Sequence, residues 1–488
     1  MVKIPFPTKI CYLCGNNYKQ PMKKSLLFIA LAAGLVLSSC SKKIECSVPA
    51  HFEDGKIVLE TPEREPGQMS ALQMACEPID TVRVGFIGIG GRGNSAVWRY
   101  THVPGTKIVA VADKYQEKVD DIVNGLAEEG ITGIATYVGE DAWKELCERD
   151  DIDLVYICTP WLLHTPMAVY AMEHGKHAAC EVPIATSIDE CWQLVNTCEK
   201  TRKHCMMLEN CCYDFFEITT LEMAQKGLFG EVLQVQGAYL HCLDGFWPGY
   251  TDNWRLSYNQ THRSDNYPTH GIGPVCQVLN IHRGDRFDYV VSMDTKSVRG
   301  AARAKEQMGV DEFADGDHTT SLIRTVNGKM VEIQHNVYCA RPYSRMHQII
   351  GTEGSAQKYP VECLAITGKN IPNAAELGLE DLDAEGFMDQ EAFNKLMEAY
   401  KPEMIREIED DARKVGGHGG MDYIMDYRLI YCLRNGLPLD EDVYDAAEWC
   451  CLTELSGLSI KNGSAPVAVP DFTRGDWNKI QGFSRATK

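Results

Sequence analysis

A glycine-rich turn near residue 90 is the first pattern in the chain that could do chemistry. Gly88, Gly90 and Gly93 fill the three glycine positions of a GxGxxG motif, which follows the apolar run at 82–87. Glycines in this arrangement let the backbone turn tightly and approach a pyrophosphate at the start of the next helix. The motif predicts a dinucleotide-binding turn, although an ordinary glycine turn has the same composition.

An acidic residue after the next apolar run distinguishes the two nicotinamide dinucleotides. Residues 107–112 predict a second strand, and Asp113 follows it, 20 residues after Gly93. A carboxylate at this position accepts hydrogen bonds from the adenosine ribose hydroxyls and repels a 2′-phosphate. The sequence therefore predicts NAD rather than NADP as the cofactor.

The elements around this turn alternate between strands and helices. The later strands are continuous apolar runs, which is typical of a parallel sheet covered on both faces. Strands are predicted at 82–87, 107–112, 153–158, 177–180 and 205–208, and helices at 94–100, 165–174 and 188–203. The last helix begins with a capping box formed by Ser187 and Glu190. We therefore predict a doubly wound Rossmann domain at 80–210.

Ligands of such sheets bind beyond the carboxyl ends of the strands. The cofactor-binding residues predicted from this rule and from the glycine motif are Gly88, Gly90, Gly91, Arg92, Gly93, Asp113, Trp161, His164, Glu181, Val182 and Asn210. After residue 40 no spacing of Cys and His matches a zinc site, so we predict no metal.

The second half of the chain predicts an antiparallel sheet with crossing helices. Strands are expected at 230–241 and 346–351, with a hairpin between 318–326 and 329–338. Asn327-Gly328 favours a type I′ turn in that hairpin. We therefore expect an α/β protein with a second α+β domain at 211–488, which would bind the substrate.

The N-terminus resembles the signal of a bacterial lipoprotein. Lys23 and Lys24 precede an apolar run at 26–37, and Cys40 follows in the sequence Leu-Ser-Ser-Cys. A basic start, a short apolar run and small residues before a cleavage site describe a secretory signal. We predict an upstream extension and signal at 1–39, lipidation at Cys40 and a polar tether at 40–79. The protein would then be exported and anchored to a bacterial membrane, in the periplasm or at the outer surface.

Composition excludes other classes of protein. The 488 residues are 44% hydrophobic and 24% charged, which suits a folded core and excludes bulk disorder. Lys plus Arg number 48 against 68 for Asp plus Glu, which gives a net charge of -20. The sequence shows no basic stripe of the kind that binds nucleic acid, so we exclude that class of protein. We expect the 17 cysteines that follow Cys40 to be buried free thiols.

Three motifs resemble the Gfo/Idh/MocA oxidoreductases in order and spacing. They are GIGGRG at 88–93, TPWLLH at 159–164 and EVP at 181–183. The resemblance implies a Rossmann domain joined to a domain with an open, mostly antiparallel sheet. Those enzymes usually have Glu-Lys-Pro as the third motif, and the Lys helps to move the proton of the hydroxyl being oxidised. This chain has Val182 there, which cannot transfer a proton.

Longer motifs resemble the glycoside hydrolase family 109 α-N-acetylgalactosaminidases from about residue 80 to the C-terminus. They are ENCCY at 209–213, GAYLH at 237–241, NYPTHGIGP at 266–274, ARPYSR at 340–345 and the segment 419–440. The resemblance implies a retained, recycled NAD and hydrolysis of terminal α-N-acetylgalactosamine. The sugar would be oxidised at C3, lose its C1 substituent by elimination, add water and be reduced again.

The same resemblance implies the roles of individual residues. Tyr267 and His270 would carry the proton transfers, and Glu181 would contact the nicotinamide ribose or act in catalysis; we favour the ribose. The segment 241–270 is rich in aromatic side chains, which suit either a sugar site or ordinary core packing. The substrate-binding residues implied are Tyr239, Arg255, Tyr267, Pro268, Thr269, His270 and Tyr343.

Two other functions fit parts of this pattern. An NAD-dependent sugar dehydrogenase or epimerase fits the Rossmann motifs, but Val182 counts against it. A surface sugar-binding protein without turnover fits the aromatic segment, but the presence of both Tyr267 and His270 counts against it. By analogy with other proteins that have the open sheet, a homo-oligomer is expected.

Overall fold

Two sheets organise residues 44–488, the part of the chain that the computed structural model describes. The predicted signal segment and Cys40 lie outside these residues. The strands are β1 (Ala50–Glu53), β2 (Lys56–Leu59), β3 (Val82–Ile87), β4 (Thr106–Asp113), β5 (Ala135–Val138), β6 (Leu154–Ile157), β7 (His177–Cys180), β8 (Cys205–Met207), β9 (Val232–Leu240), β10 (Phe287–Asp294), β11 (Thr319–Thr325), β12 (Met330–Asn336), β13 (Gln348–Gly351), β14 (Gly354–Gln357), β15 (Cys363–Ile366) and β16 (Val467–Ala468).

Fourteen α-helices pack on these sheets in the described part of the chain. They are α1 (Gly91–Tyr100), α2 (Gln116–Glu128), α3 (Trp143–Cys147), α4 (His164–Glu173), α5 (Ile188–Thr201), α6 (Phe215–Gln225), α7 (Trp254–Thr261), α8 (Thr269–Val278), α9 (Arg299–Met308), α10 (Ala374–Leu377), α11 (Gln390–Ala399), α12 (Glu403–Val415), α13 (Met421–Asn435) and α14 (Val443–Lys461). Across residues 44–488, none of these helices combines the length and the apolar character that crossing a membrane requires.

The first sheet is the predicted parallel one. Its six strands follow the order β5-β4-β3-β6-β7-β8, and every neighbouring pair is parallel. Every residue of β6, β7 and β8 is buried, because helices cover both faces. Helix α1 begins at Gly91 rather than at the predicted Asn94, so the glycine motif itself forms its first turn.

The predicted capping box of α5 is only half formed. The Ser187 hydroxyl accepts a hydrogen bond from the Glu190 N–H at 3.2 Å. The Glu190 carboxylate instead accepts from the N–H and hydroxyl of Thr186, at 2.6 and 2.8 Å. A complete box stands at Asp442 and Asp445, where α14 begins. This second box was not predicted from the sequence, because its second acid is Asp rather than the usual Glu or Gln.

The second sheet has ten strands in the order β1-β2-β16-β10-β11-β12-β9-β13-β14-β15. It is mostly antiparallel, as predicted, but β9 pairs parallel with β12 and β2 pairs parallel with β16. The predicted hairpin joins β11 to β12. Its turn is not type I′, because only Gly328 of the Asn327-Gly328 pair has a positive φ, +86°.

Helix α8 lies unusually close to β9, and this contact positions the site described below. A Cβ on Gly237 of β9 would sit 2.0 Å from the carbonyl oxygen of Gly271 in α8. Only glycines at both positions allow the helix backbone to rest directly on the strand. The side chains of Tyr239 on the strand and His270 on the helix are thereby brought together, with ring centroids 5.3 Å apart.

Residues 44–79 pack on the folded body, which corrects the prediction of a tether for the described part of 40–79. The hairpin β1–β2 extends the ten-stranded sheet, and Ile57 and Ala71 are fully buried. Arg64 forms ion pairs with Glu199 and Asp476, both at 3.1 Å. The polar, proline-containing composition resembled a linker because its few apolar side chains are widely spaced. The 17 cysteines among residues 44–488 are free thiols, as predicted; eleven of them are buried and six are half-buried.

Candidate active site

A cavity of about 660 Å³ lies where the carboxyl edge of the parallel sheet meets the second half of the chain. Both halves contribute side chains to its wall, so it brings together residues that are far apart in sequence. The predicted site residues that line it are Gly88, Gly90, Gly91, Arg92, Asp113, Trp161, His164, Glu181, Val182, Asn210, Tyr239, Arg255, Tyr267 and His270.

The glycine turn forms one end of this cavity. A Cβ on Gly93 would lie 1.9 Å from the carbonyl oxygen of Gly88, so these two glycines let α1 pack against the end of β3. A Cβ on Gly90 or Gly91 would meet nothing within 4 Å. The first N–H groups of α1 have no partner within the helix and face this open space. A pyrophosphate fits there, because the helix N-terminus favours an anion.

Asp113 closes the same end of the cavity. Its carboxylate accepts hydrogen bonds from the N–H groups of Ile89 and Tyr115, at 2.9 and 3.0 Å. The side chain therefore stands beside the glycine turn, where it would meet an adenosine ribose. The neighbouring Lys114 forms an ion pair with Asp252 instead, with 3.4 Å between Nζ of Lys114 and Oδ2 of Asp252.

An ionic cluster joins the two halves of the chain beneath the cavity. Arg92 donates from Nε to Glu181 and from Nη1 to Asp422, both at 2.6 Å. Asp422 also accepts from the side-chain amide of Asn210 at 2.6 Å. Burial opposes the charge of Asp422, but His418 and Arg92 outweigh burial and hold its pKa well below the usual range. Asp422 thus binds two predicted cofactor residues of the Rossmann domain, Arg92 and Asn210, and Arg92 in turn holds Glu181.

We expect Asp422→Asn to destabilise the fold by about 3–5 kcal/mol, because buried Arg99 and half-buried Arg92 would keep their charges but lose a carboxylate partner. Urea unfolding of the purified protein measures this change. Asp410→Asn is the control, since Asp410 is exposed and should change the unfolding free energy by less than about 0.5 kcal/mol. Equal unfolding free energies for both variants would show that the cluster does not stabilise the domain contact.

Aromatic side chains and one arginine form the other end of the cavity. The rings of Trp161 and Tyr267 stack with centroids 5.5 Å apart and planes 22° apart. The guanidinium of Arg255 lies over both rings, 4.9 and 4.8 Å from their centroids. Its Nη1 donates to the Tyr250 hydroxyl at 2.8 Å, whereas Nε and Nη2 are buried and have no partner in the described part of the chain. Buried donors without acceptors are costly, so they indicate that a ligand supplies the acceptors.

A chain of polar groups runs behind this aromatic wall. The Tyr267 hydroxyl lies 3.4 Å from Nε2 of His270, and Nδ1 of His270 lies 2.7 Å from Oε1 of Glu209. Burial, followed by the neighbouring Tyr239, raises the pKa of Tyr267 well above its usual value. The Tyr267 hydroxyl is therefore protonated at neutral pH, so it can donate a proton or relay one.

Four predicted site residues lie outside the cavity wall. Gly93 packs beneath the glycine turn, and Pro268 and Thr269 are buried where α8 begins. Tyr343 stands at the cavity mouth, where its ring contacts His241 edge-on at 5.0 Å. None of the four faces the space between the glycine turn and Arg255.

Several residues that build this site were not predicted from the sequence. His241 lines the cavity beside Tyr239, and the two-residue spacing along β9 could have indicated that both face the same way. Asp422 and His418 come from the loop and helix near 420, and no local pattern links them to Arg92. Glu209 lies two residues after β8, at a carboxyl end of the parallel sheet where ligands are expected, but its contact with His270 was not predicted.

Comparison with known proteins decides the family. The model for the NAD-binding Rossmann fold of an oxidoreductase family matches residues 82–209, and the model for the C-terminal domain of glycosyl hydrolase 109 matches residues 213–479. Glycosyl hydrolase family 109 protein 1 of Bacteroides thetaiotaomicron is 56% identical over 473 residues, which cover 95% of this chain and 99% of that protein. This chain belongs to glycosyl hydrolase family 109.

Another family 109 protein, from Porphyromonas gingivalis, is 55% identical over 464 residues, covering 94% of this chain and 98% of its own length. Solved structures share the fold at low identity. Levoglucosan dehydrogenase in complex with NADH and L-sorbose has a TM-score of 0.60 and 18% identity, covering 80% of this chain and 100% of its own. An oxidoreductase domain protein from Kribbella flavida has a TM-score of 0.59 and 17% identity, with the same coverage.

These findings confirm the family, the α/β fold and the cofactor predicted from the sequence. The family 109 chain is a glycoside hydrolase with an NAD-binding Rossmann domain. The glycine turn and Asp113 provide the space and the charge that NAD requires.

Proposed function

We propose that this family 109 protein hydrolyses terminal α-N-acetylgalactosamine from glycoconjugates and uses tightly bound NAD as a recycled catalyst. The observation that carries the proposal is the chemistry of the cavity wall. Its sugar-binding end, as we assign it, presents Tyr239, Arg255, Tyr267 and His270. These residues can bind a sugar and move protons, but they include no carboxylate.

The carboxylates that line the cavity are all engaged elsewhere. Asp113, Glu140 and Asp252 gather around Lys114 and Tyr115 at the far end. Glu181 is the fourth carboxylate that lines the cavity among the described residues, and it is paired with Arg92 at 2.6 Å. An ordinary glycosidase needs two carboxylates flanking the scissile bond. This wall has no such pair, whereas a redox-assisted hydrolysis requires only a cofactor and groups that transfer protons.

NAD would be held by groups already in place. The N-terminus of α1 would bind the pyrophosphate across Gly90 and Gly91, and Asp113 would bind the adenosine ribose. Glu181, fixed by Arg92, and Asn210, fixed by Asp422, would contact the nicotinamide side. When bound, NAD would supply a hydride acceptor for C3 of the sugar and return the hydride after hydrolysis.

The chain's own residues would move the protons. A ketone at C3 acidifies the C2 proton, so elimination of the C1 substituent needs a base and an acid. Nε2 of His270 would accept protons directly or through the Tyr267 hydroxyl, and Tyr267 would return one to the leaving oxygen. Val182 lines the cavity and has no group that transfers protons, which disfavours an ordinary dehydrogenase.

Arg255 would select the acetamido sugar. Its buried Nε and Nη2 have no acceptor among residues 44–488, and an acetamido carbonyl would supply one. Stacked Trp161 and Tyr267 would exclude water from this contact. A substrate without the acetamido group would leave a charged donor unpaired, which costs about 1–3 kcal/mol.

A pair of chromogenic substrates tests this proposal. We expect kcat/KM for an α-N-acetylgalactosaminide to exceed that for the matching α-galactoside by about 10- to 100-fold, because only the first satisfies Arg255. Equal rates would contradict the assigned specificity. Oxidation of free sugars without release of chromophore would instead favour a sugar dehydrogenase, and binding without turnover a sugar-binding protein.

A further inference from the structure

Glu209 is a buried carboxylate that lies behind the cavity rather than in its wall. It follows β8, and Oε1 accepts from the Cys211 N–H at 3.2 Å and lies 2.7 Å from Nδ1 of His270. A Cβ on Gly273 would sit 2.9 Å from Cγ of Glu209, so α8 needs a glycine one turn after His270 to approach this carboxylate. The contact is thus built into the packing of the helix.

We propose that Glu209 is a positioning residue that fixes the tautomer of His270. A carboxylate next to Nδ1 accepts its hydrogen, so the lone pair remains on Nε2, which faces the Tyr267 hydroxyl at 3.4 Å. His270 is then oriented and ready to accept a proton. This inference rests on the proposed role of His270 in proton transfer.

The same atoms do not favour a metal site. Ligand atoms of Glu209, Cys211 and His270 lie within 4.8 Å of one another. Burial raises the pKa of the Cys211 thiol well above its usual value, whereas a metal needs the thiolate. The short contact between Glu209 and Nδ1 already satisfies the nitrogen that would bind an ion. A hydrogen-bonded pair explains the geometry without an ion.

The kinetic test is Glu209→Gln in the full chain, with the chromogenic α-N-acetylgalactosaminide. We expect kcat to fall about 10²- to 10⁴-fold with KM changed by less than about 3-fold, as for other enzymes whose catalytic His loses its carboxylate partner. A fall in kcat without a rise in KM is expected because Glu209 lies behind the cavity wall and orients His270 without contacting the sugar. An unchanged kcat, or a loss of kcat/KM that comes from KM alone, would overturn the proposal.

Glu448→Gln is the matched control. Glu448 lies 3.3 Å from Nε2 of His282, both side chains are buried, and neither lines the cavity. Removing this carboxylate should lower the thermal midpoint and leave kcat unchanged. If Glu448→Gln lowers kcat as Glu209→Gln does, the effect of Glu209 is structural and the proposal fails.

Nitrogen NMR of histidine-labelled protein decides the tautomer without turnover. The His270 signals are assigned by their absence from His270→Gln. We expect the Nδ1–H form in the wild type and a shift toward Nε2–H in Glu209→Gln; an unchanged tautomer would overturn the proposal. This result stands even if the wild type fails to cleave the substrate, which would refute the proposed function alone. Should Glu209→Gln not fold, Glu209→Asp should give a weaker shift, and no shift would again overturn it.

Discussion

Replacing His270 with Gln should lower kcat on a chromogenic α-N-acetylgalactosaminide by about 10²- to 10⁴-fold, the range for loss of a general acid or base. His270 is the histidine whose Nε2 faces the Tyr267 hydroxyl, and Glu209 holds its other nitrogen. The variant should stay folded and keep its NAD, because no residue of the glycine turn contacts this side chain. Steady-state kinetics together with NAD content after denaturation give the measurement.

A second active-site variant and a control variant accompany His270→Gln. Tyr267→Phe removes only a hydroxyl and should also lower kcat, because the proton path would be broken. His51→Gln is the control, since His51 is an exposed residue on β1 that forms an ion pair with Glu53 at 3.6 Å and does not line the cavity. Near-normal turnover by folded, NAD-loaded His270→Gln and Tyr267→Phe would remove both residues from the mechanism.

The second large effect should come from Gly90→Ala, which we expect to fold normally but to lose NAD. A methyl group at Gly90 would meet no protein atom within 4 Å, and its φ of -69° suits alanine. The methyl group would instead enter the space assigned to the pyrophosphate. We expect a loss of about 3 kcal/mol in NAD binding, roughly 100-fold in Kd. NAD content and the thermal midpoint of the NAD-free protein separate binding from folding.

Substitutions at two other glycines serve as controls, one that should prevent folding and one that should have no effect. Gly93→Ala should prevent folding of the Rossmann domain, because its methyl group would lie 1.9 Å from the carbonyl oxygen of Gly88. Gly386→Ala should change neither NAD content nor stability, since nothing lies within 4 Å of its added carbon. If Gly90→Ala retains NAD as the wild type does, the pyrophosphate of NAD does not lie against Gly90 as proposed.

The parallel sheet could be predicted from the sequence because its signals are local. The buried strand β6 is a continuous apolar run, and the glycine turn lies between β3 and α1 in a contiguous segment. The prediction of a tether failed because burial of Ile57 depends on a strand, β16, that is some 400 residues away in the chain. Composition near Ile57 carries no information about that partner.

The site was predictable only where a motif names its residues. Tyr239, Arg255, Tyr267 and His270 were inferred from a family resemblance and do line one cavity. The groups that hold such residues in place were missed, because their contacts are tertiary. Asp422 is 330 positions from Arg92 and Glu209 is 61 positions from His270. No periodicity of strand or helix links positions at those separations.

Recycling of NAD distinguishes the proposed hydrolysis from an ordinary dehydrogenation, and one assay follows both outcomes. The purified protein is given a chromogenic α-N-acetylgalactosaminide with no added NAD, while chromophore release and NADH absorbance are followed together. We predict many turnovers per protein molecule with no net NADH, because each hydride is returned before the sugar leaves. Accumulation of NADH in proportion to chromophore, or full activity after the bound NAD has been removed, would contradict the account.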